Sequence, residues 1–223
     1  MAFLTEVSAL VKKEIQQEWR QRTTLNGILL YLAGTIYICY LSLSVKGGTI
    51  TPPVWNAVLW IILLFVTVNA VSKSFLQERS GRWLYYYTLA TPQSLIVSKI
   101  IYNALLMMGI SSIAYLLYSV VLKNPVEQYG LFFLNILLGA SGLSALFTMV
   151  SAIAVKAGQS YTLIAIMGGP LSIPLLLVLM KVSMNSIEGL GWSVSQGPLL
   201  MAAALNAMLV ALAYVLFPYL WKS

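Results

Sequence analysis

The chain has 223 residues, of which 60% are hydrophobic and only 9% are charged. A soluble domain carries about 25% charged residues, so this composition excludes an ordinary soluble fold. It predicts an all-α integral membrane protein built as one domain. The net charge of +7 is explained by basic residues at the ends of membrane spans, where they meet anionic lipid. No nucleic-acid partner is therefore expected.

The residue inventory excludes several kinds of chemistry. The sequence contains no histidine, which rules out a histidine-based zinc site, a Ser-His-Asp triad and a histidine ligand to haem iron. It also lacks a G-x-x-x-x-G-K-S/T phosphate loop, so ATP would have to be bound by another chain. The single cysteine, Cys39, lies in an apolar run and is expected to be a small buried hydrophobic residue. We therefore expect a non-catalytic subunit without a metal site.

Residues 1–24 predict an amphipathic helix. Apolar side chains recur at helical spacing on one face between Phe3 and Arg20, namely Leu4, Val7, Val11, Ile15 and Trp19. Lys12 and Lys13 lie largely elsewhere on the helix. Such a helix can lie along the membrane surface or pack as a solvated helix on a partner. The closeness of Trp19 to the first apolar run favours the membrane surface.

Six apolar runs predict six transmembrane helices. At ~1.5 Å per residue, runs of this length cover roughly the ~30 Å hydrocarbon core. The predicted spans are residues 25–45, 54–71, 97–122, 129–155, 161–182 and 198–220. Residues 183–197 are expected to form a short interfacial segment before the last span. The fourth span has a face of small residues, which predicts close helix contact: Gly139, Ser141, Gly142 and Ser144.

The basic residues orient these spans, because membrane proteins place Lys and Arg preferentially on the cytoplasmic side. With six spans, the side that holds both termini and the loops after spans two and four collects ten of the thirteen basic residues. The other side holds only Lys46, Lys123 and Lys181. Both termini are therefore predicted to be cytoplasmic.

The longest break between apolar runs, residues 72–96, is predicted to be a cytoplasmic loop. We expect the second span to continue as a helix to about Ser80, with Gly81 ending it in the left-handed conformation. Thr91 as cap and Pro92 in the first turn predict the start of the next helix. Between these points, a short helix has aromatic side chains on one face: Trp83, Tyr86 and Tyr87. These aromatic residues are compatible with an interfacial belt and with a docking surface for a soluble partner.

The fifth span contains Gly168, Gly169, Pro170 and Pro174. Each proline removes a backbone donor, and unpaired carbonyls are tolerated in a membrane only where they are buried in protein or face water. We therefore expect a kink or a break in this span, against neighbouring helices. A moving hinge or transport-path lining and a static kink are equally compatible with the sequence.

The loop sequence Glu78-Arg79-Ser80-Gly81, followed by Pro92 and Lys99, resembles the loop motif of type-2 ABC exporter permeases. The resemblance implies that this loop carries the coupling helix, which docks on a cytoplasmic ABC ATPase subunit. It assigns the coupling role to Glu78, Arg79, Gly81, Arg82, Trp83, Tyr86, Tyr87 and Pro92. It also implies six spans, cytoplasmic termini, an N-terminal amphipathic helix and a homodimer.

Three further stretches are similar to the haem exporter B family of cytochrome c maturation: residues 13–20, Asn26-Gly27 and residues 170–175. The similarity covers the whole chain in length and topology, and it is strongest at 72–99 and 168–176. It implies a permease subunit of the bacterial inner membrane, with a haem-handling membrane protein and a haem chaperone as further partners. Haem is then a possible substrate, ATP is bound by the partner subunit, and no cofactor is assigned to this chain.

Two roles within this family are open: delivery of haem, and ATP-driven release of the haem-loaded chaperone. The absence of histidine favours the second, although tyrosine and methionine can also ligate haem iron. Outside the family, the alternatives are a type-2 ABC permease for a lipid, polysaccharide or drug, and a non-transporting membrane scaffold. Neighbouring genes for an ATPase and for haem-handling membrane proteins would distinguish the first reading from the others.

The charge distribution makes a direct prediction about topology. Reporter fusions ending at Gly48, Asn124 and Ser186 should report a non-cytoplasmic location, because the side poor in Lys and Arg is translocated. Fusions after cytoplasmic residues should give the opposite signal, and Gly158 and Ser223 supply two such sites. A cytoplasmic signal at Ser186 would contradict six spans.

Overall fold

A computed structural model of the chain describes residues 2–21, 23–44, 50–76, 91–156 and 161–222. These residues form seven α-helices, and no strand occurs among them. In chain order, the helices are α1 (Ala2–Gln21), α2 (Thr23–Ser44), α3 (Pro52–Leu76), α4 (Pro92–Val121), α5 (Tyr129–Lys156), α6 (Tyr161–Ile187) and α7 (Trp192–Lys222). The predicted N-terminal helix is confirmed as α1.

Five described segments are long and apolar enough to cross a membrane: Pro52–Ser72, Pro92–Val121, Tyr129–Ala154, Thr162–Ile187 and Trp192–Leu220. They lie in α3 to α7, at the positions of the second to sixth predicted spans. The apolar part of α2 is shorter and runs from Asn26 to Ser42. A helix of that length rises by ~25 Å, somewhat less than the ~30 Å hydrocarbon core. A sixth span therefore stays a prediction.

Helix α5 lies at the centre of the bundle. It packs against α3, α4, α6 and α7, and these four helices also contact one another around it. Its apolar segment is 72% buried, against 17% for that of α7. Helices α2 and α1 lie outside this ring, with α2 on α3 and α4, and α1 mainly on α4. The small-residue run of the sequence thus belongs to the central helix, whose apolar segment is the most buried of the five.

Two glycines of α5 make this close approach possible. A β-carbon at Gly139 would overlap the indole ring of Trp60 on α3. A β-carbon at Gly142 would overlap Asn206 on α7 and Leu175 on α6. The predicted close contact of this stretch is therefore confirmed at both glycines, although they face different helices.

Buried polar side chains join α3, α5 and α6 near one end of the bundle. The indole Nε1 of Trp60 donates to Ser183 Oγ over 2.9 Å, and Asn135 Nδ2 donates to the same oxygen and to the Leu179 carbonyl, both over 2.8 Å. Asn56 Nδ2 donates to the Met180 carbonyl over 2.9 Å. Hydrogen bonds between apolar helices are worth about 0.6–2 kcal/mol each, so this network helps to set how the three helices fit together.

The separate interfacial segment expected at residues 183–197 does not form. Residues 183–187 complete α6, and residues 192–197 begin α7, so only 188–191 connect the two helices. Gly189 allows this tight connection because its φ is +71°, a conformation that favours glycine. The Asn185 carbonyl accepts from Leu190 N over 2.9 Å, and Asn185 Nδ2 donates to Ser195 Oγ over 3.1 Å.

The packing at Gly139 can be tested by adding a single methyl group. Gly139→Ala should destabilise the protein by about 1–3 kcal/mol, the usual cost of overpacking, because Trp60 is fully buried and held by its hydrogen bond to Ser183. Gly130→Ala is the matched control on the same helix, since its β-carbon would meet no atom within 4 Å. The control should be neutral or stabilising by up to ~1 kcal/mol. Thermal unfolding in detergent measures both, and equal melting temperatures would contradict the packing argument.

Candidate functional site

Most of the predicted coupling loop lies outside the described residues. This applies to seven of the eight residues assigned to coupling: Glu78, Arg79, Gly81, Arg82, Trp83, Tyr86 and Tyr87. The structure describes the two helices that border this stretch, α3 up to Leu76 and α4 from Pro92. The helical continuation of the second span is thus confirmed as far as Leu76.

The start of α4 has the predicted capping geometry. Thr91 is extended, with φ −75° and ψ 146°, and its side chain accepts a hydrogen bond from Ser94 N over 3.3 Å. Pro92 follows in the first turn, where its missing N–H costs no helical hydrogen bond. The predicted coupling loop is therefore followed by a helix with a well-defined first turn.

A carboxylate from α1 strengthens this helix start. Glu6 Oε2 accepts from Ser94 Oγ over 2.9 Å, from Thr91 Oγ1 over 3.3 Å and from Thr91 N over 3.5 Å. A negative charge is stabilising at a helix N-terminus, where backbone N–H groups lack helical partners. The N-terminal helix is thus hydrogen-bonded to Thr91 and Ser94, where α4 begins.

Two more carboxylates of α1 face α4. Lys99 Nζ lies 3.6 Å from Glu14 Oε1, and the lysine side chain is only 1% exposed. One turn further along, Tyr102 donates its hydroxyl to Glu18 Oε2 over 3.4 Å. We call Glu6, Glu14 and Glu18 the acidic row. Its three carboxylates contact successive turns of α4, and the central one, Glu14, lies against the buried side chain of Lys99.

This row was not predicted from the sequence. Lys99 was considered only as the last residue of the loop motif, whereas the structure buries that lysine against α1. A signal was present, because three of the six acidic residues of the whole chain lie in α1. Glu14 and Glu18 are one turn apart, and Lys99 and Tyr102 are three residues apart, so each pair shares a helix face. The sequence did not indicate that α1 would pack against α4.

The four fifth-span residues predicted as a hinge or path lining occur together in α6. Gly168 is buried, and a β-carbon there would overlap the ring of Phe147 on α5. Pro170 and Pro174 are both exposed, on the side of α6 that faces away from the other described helices. Gly169 is half-buried, and a β-carbon there would meet no atom within 4 Å.

A kink or a break was expected in the fifth span; a break does not occur, and a kink stays a prediction. Helix α6 is continuous from Tyr161 to Ile187, with both prolines inside it. Each proline removes one backbone hydrogen bond, but buried residues on the opposite side, such as Leu175 and Leu179, hold the helix against its neighbours. The prolines themselves do not pack against the described helices as expected. Their role as hinge or path lining stays a prediction.

The described residues contain no group of three or more His, Cys, Asp or Glu side chains that could hold a metal ion. Beyond the acidic row, the acidic side chains of the described ranges are Glu127 and Glu188, both exposed. What the acidic row offers chemically is hydrogen-bond acceptance and charge pairing within the chain. The geometry therefore indicates a site of mechanical attachment between α1 and α4.

Comparison with known proteins gives one family. A family model described as "CcmB protein" matches residues 5–220 of the chain, which covers every described helix almost completely. The search of curated proteins found no match.

The ion pair between Glu14 and Lys99 can be tested by a double-mutant cycle. Glu14→Gln removes the carboxylate that faces a buried lysine, and breaking such a pair costs about 3–5 kcal/mol. Adding Lys99→Met should restore most of this stability, because replacing both members of a buried pair by neutral groups is often nearly neutral. Glu188→Gln, at an exposed acid, should change stability by no more than ~0.5 kcal/mol. Additive effects of the Glu14 and Lys99 substitutions would refute the pairing.

Proposed function

The chain belongs to the CcmB family, and from this membership we propose that it is the permease subunit of an ABC transporter that acts in c-type cytochrome maturation. The observation that carries the proposal is the match of the family model over residues 5–220. Five helices with the length and composition of membrane spans are consistent with a multi-pass membrane subunit. ATP hydrolysis would then take place on a separate ABC ATPase subunit.

We propose that the chain crosses the inner membrane six times with both termini in the cytoplasm. The asymmetry of Lys and Arg supports this orientation, and α2 would supply the first span together with residues up to 45. In this topology, the start of α4, the end of α3 and all of α1 lie on the cytoplasmic side. The acidic row would then tie α1 to the side of the membrane on which an ATPase operates.

The coupling segment is proposed to be residues 77–90 with the start of α4. Glu78, Arg79, Gly81 and Arg82 would order the turn after α3, and the aromatic residues that follow would fill a groove on the ATPase: Trp83, Tyr86 and Tyr87. Pro92 begins the helix that carries the resulting movement into the membrane. The hydrogen bonds of Glu6 to Thr91 and Ser94 support this role, since they make α1 and α4 move together.

On the outer side of the membrane, the system would handle haem for c-type cytochromes. The further partners proposed are a second copy of this chain, a haem-handling membrane protein and a haem chaperone. Two roles fit the family, delivery of haem and ATP-driven release of the loaded chaperone. The second is favoured by the absence of histidine in the sequence, because histidine is the commonest axial ligand that could guide haem through a protein.

The docking role can be tested by removing two aromatic anchors. Trp83→Ala together with Tyr87→Ala should abolish co-purification of the ATPase while leaving membrane insertion intact. Aromatic anchors at the centre of an interface cost about 2 kcal/mol or more each, or roughly thirtyfold in affinity. Glu78→Ala should show a weaker form of the same defect. The measurement is recovery of the ATPase from tagged membranes, together with the yield of matured cytochrome c.

The matched control removes two aromatic side chains from the opposite end of the bundle. Tyr129 and Trp192 are 61% and 48% exposed at the starts of α5 and α7, so the double replacement by Ala should leave ATPase recovery unchanged. Wild-type recovery of the ATPase from the Trp83/Tyr87 variant would refute the docking role. It would leave the loop as an interfacial aromatic belt.

A further inference from the structure

An open groove runs along the side of α1 that the acidic row leaves free. Its volume is about 610 Å³, within the ~300–1,000 Å³ range typical of ligand pockets. One residue of the lining, Ile101, comes from α4. The other lining residues come from α1: Leu4, Val7, Ser8, Val11, Lys12, Ile15 and Gln16. The groove therefore has an apolar floor and one positively charged side chain along it.

The acidic row explains why this surface is open. Because Glu6, Glu14 and Glu18 face α4, α1 turns most of its apolar stripe away from the protein. Leu4 and Trp19, at the two ends of this stripe, are 74% and 70% exposed. A helix that exposes this much apolar surface is covered by another apolar phase, and the occupant can be argued from what borders the groove.

The first such indication is Ile101, which forms the wall on the α4 side. It is partly exposed and lies in the segment Pro92–Val121, which is long and apolar enough to cross a membrane. The groove is therefore continuous with a surface that hydrocarbon chains would cover. A chain entering from the bilayer would pass from Ile101 directly onto Val11 and Ile15 without crossing a polar barrier.

The second indication is charge. Lys12 is exposed and lines the groove, and none of the described residues of the lining is acidic. The three carboxylates of α1 are turned to the other side, where Glu14 lies 3.6 Å from Lys99 and 3.7 Å from Lys13. A ligand in the groove therefore meets apolar carbon along its length and a cation at the rim. An acyl chain attached to a phosphate group has the matching chemistry.

We propose that this groove binds one anionic phospholipid of the surrounding bilayer, with an acyl chain along Leu4, Val11 and Ile15 and its phosphate beside Lys12. The lipid would complete the packing of α1, which the acidic row holds to α4 on one side only. The proposal depends on the membrane environment and on the groove, and it is independent of which substrate the transporter handles.

The test is lipid retention by the full chain. The protein is purified in mild detergent, exchanged into micelles with equal amounts of phosphatidylglycerol and phosphatidylcholine, and analysed by native mass spectrometry. Lys12→Gln should reduce the preference for phosphatidylglycerol about fivefold, which is the effect of one basic residue near an anionic surface. Lys12→Arg keeps the charge and should retain the preference. Lys181→Gln, at an exposed lysine near the other end of the bundle, should not alter it.

A second variant tests the apolar part of the site. Ile15→Trp fills the groove and should reduce retention of both lipids, whereas Lys12→Gln affects only their ratio. A photo-crosslinking residue, benzoylphenylalanine, in place of the exposed Leu4 at the end of the groove should form adducts with lipid in whole cells. Adducts with a second copy of the chain, or with another protein, would overturn the proposal. So would unchanged lipid retention in folded Lys12→Gln and Ile15→Trp proteins, with folding monitored by gel filtration.

Discussion

Close approach of helices to α5 is the constraint on which the rest of the structure depends. Inside a bilayer there is little hydrophobic gain from bringing apolar helices together, so association depends on contact between surfaces and on polar pairs. Gly139 and Gly142 remove the side chains that would keep α3, α6 and α7 apart. Trp60 uses the space at Gly139 and directs its indole N–H to Ser183, so one site supplies both packing and a hydrogen bond.

The second organising feature lies at the edge of this bundle, where α1 meets α4. Its polar contacts involve charged side chains, whereas the hydrogen bonds described around α5 join neutral groups. They reach from the helix cap at Thr91 to Tyr102, about three turns of α4. The first turn of α4 is held by its cap and by Glu6. A displacement of this turn would therefore move the rest of the helix with it. This is a physical basis for linking the loop before Thr91 to movement within the membrane.

Local features could be predicted from the sequence, because their causes are local. The cap at Thr91 and Pro92 depends on residues within one turn, and the amphipathic character of α1 depends on spacing within a single helix. The composition and the apolar runs were sufficient to place α3 to α7, although the helices extend beyond the predicted spans. The match of the family model to residues 5–220 confirms the family that the sequence motifs indicated.

Features that depend on tertiary contacts could not be predicted in this way. Lys99 is separated from Glu14 by 85 positions, and the rule that places basic residues at membrane boundaries says nothing about their partners. The continuity of α6 through Pro170 and Pro174 has a similar cause. The sequence shows that each proline removes one backbone hydrogen bond of α6. It does not show the packing of α6 against α5, which holds the helix together across the prolines. A short interfacial segment was expected at residues 183–197, but Asn185 at the end of α6 donates a hydrogen bond to Ser195 in the first turn of α7.

The order in which the ribosome delivers the two halves of the buried ion pair has a consequence for biogenesis. Synthesis proceeds from the N-terminus, so Glu14 emerges well before Lys99 enters the translocation machinery. A lysine that is buried inside the protein, as Lys99 is, is costly when it has no partner. In this chain the partner, Glu14 on α1, has already been synthesised when Lys99 is buried. A chain that lacks α1 would therefore have to bury Lys99 without Glu14, and its defect would arise while α4 assembles with its neighbours.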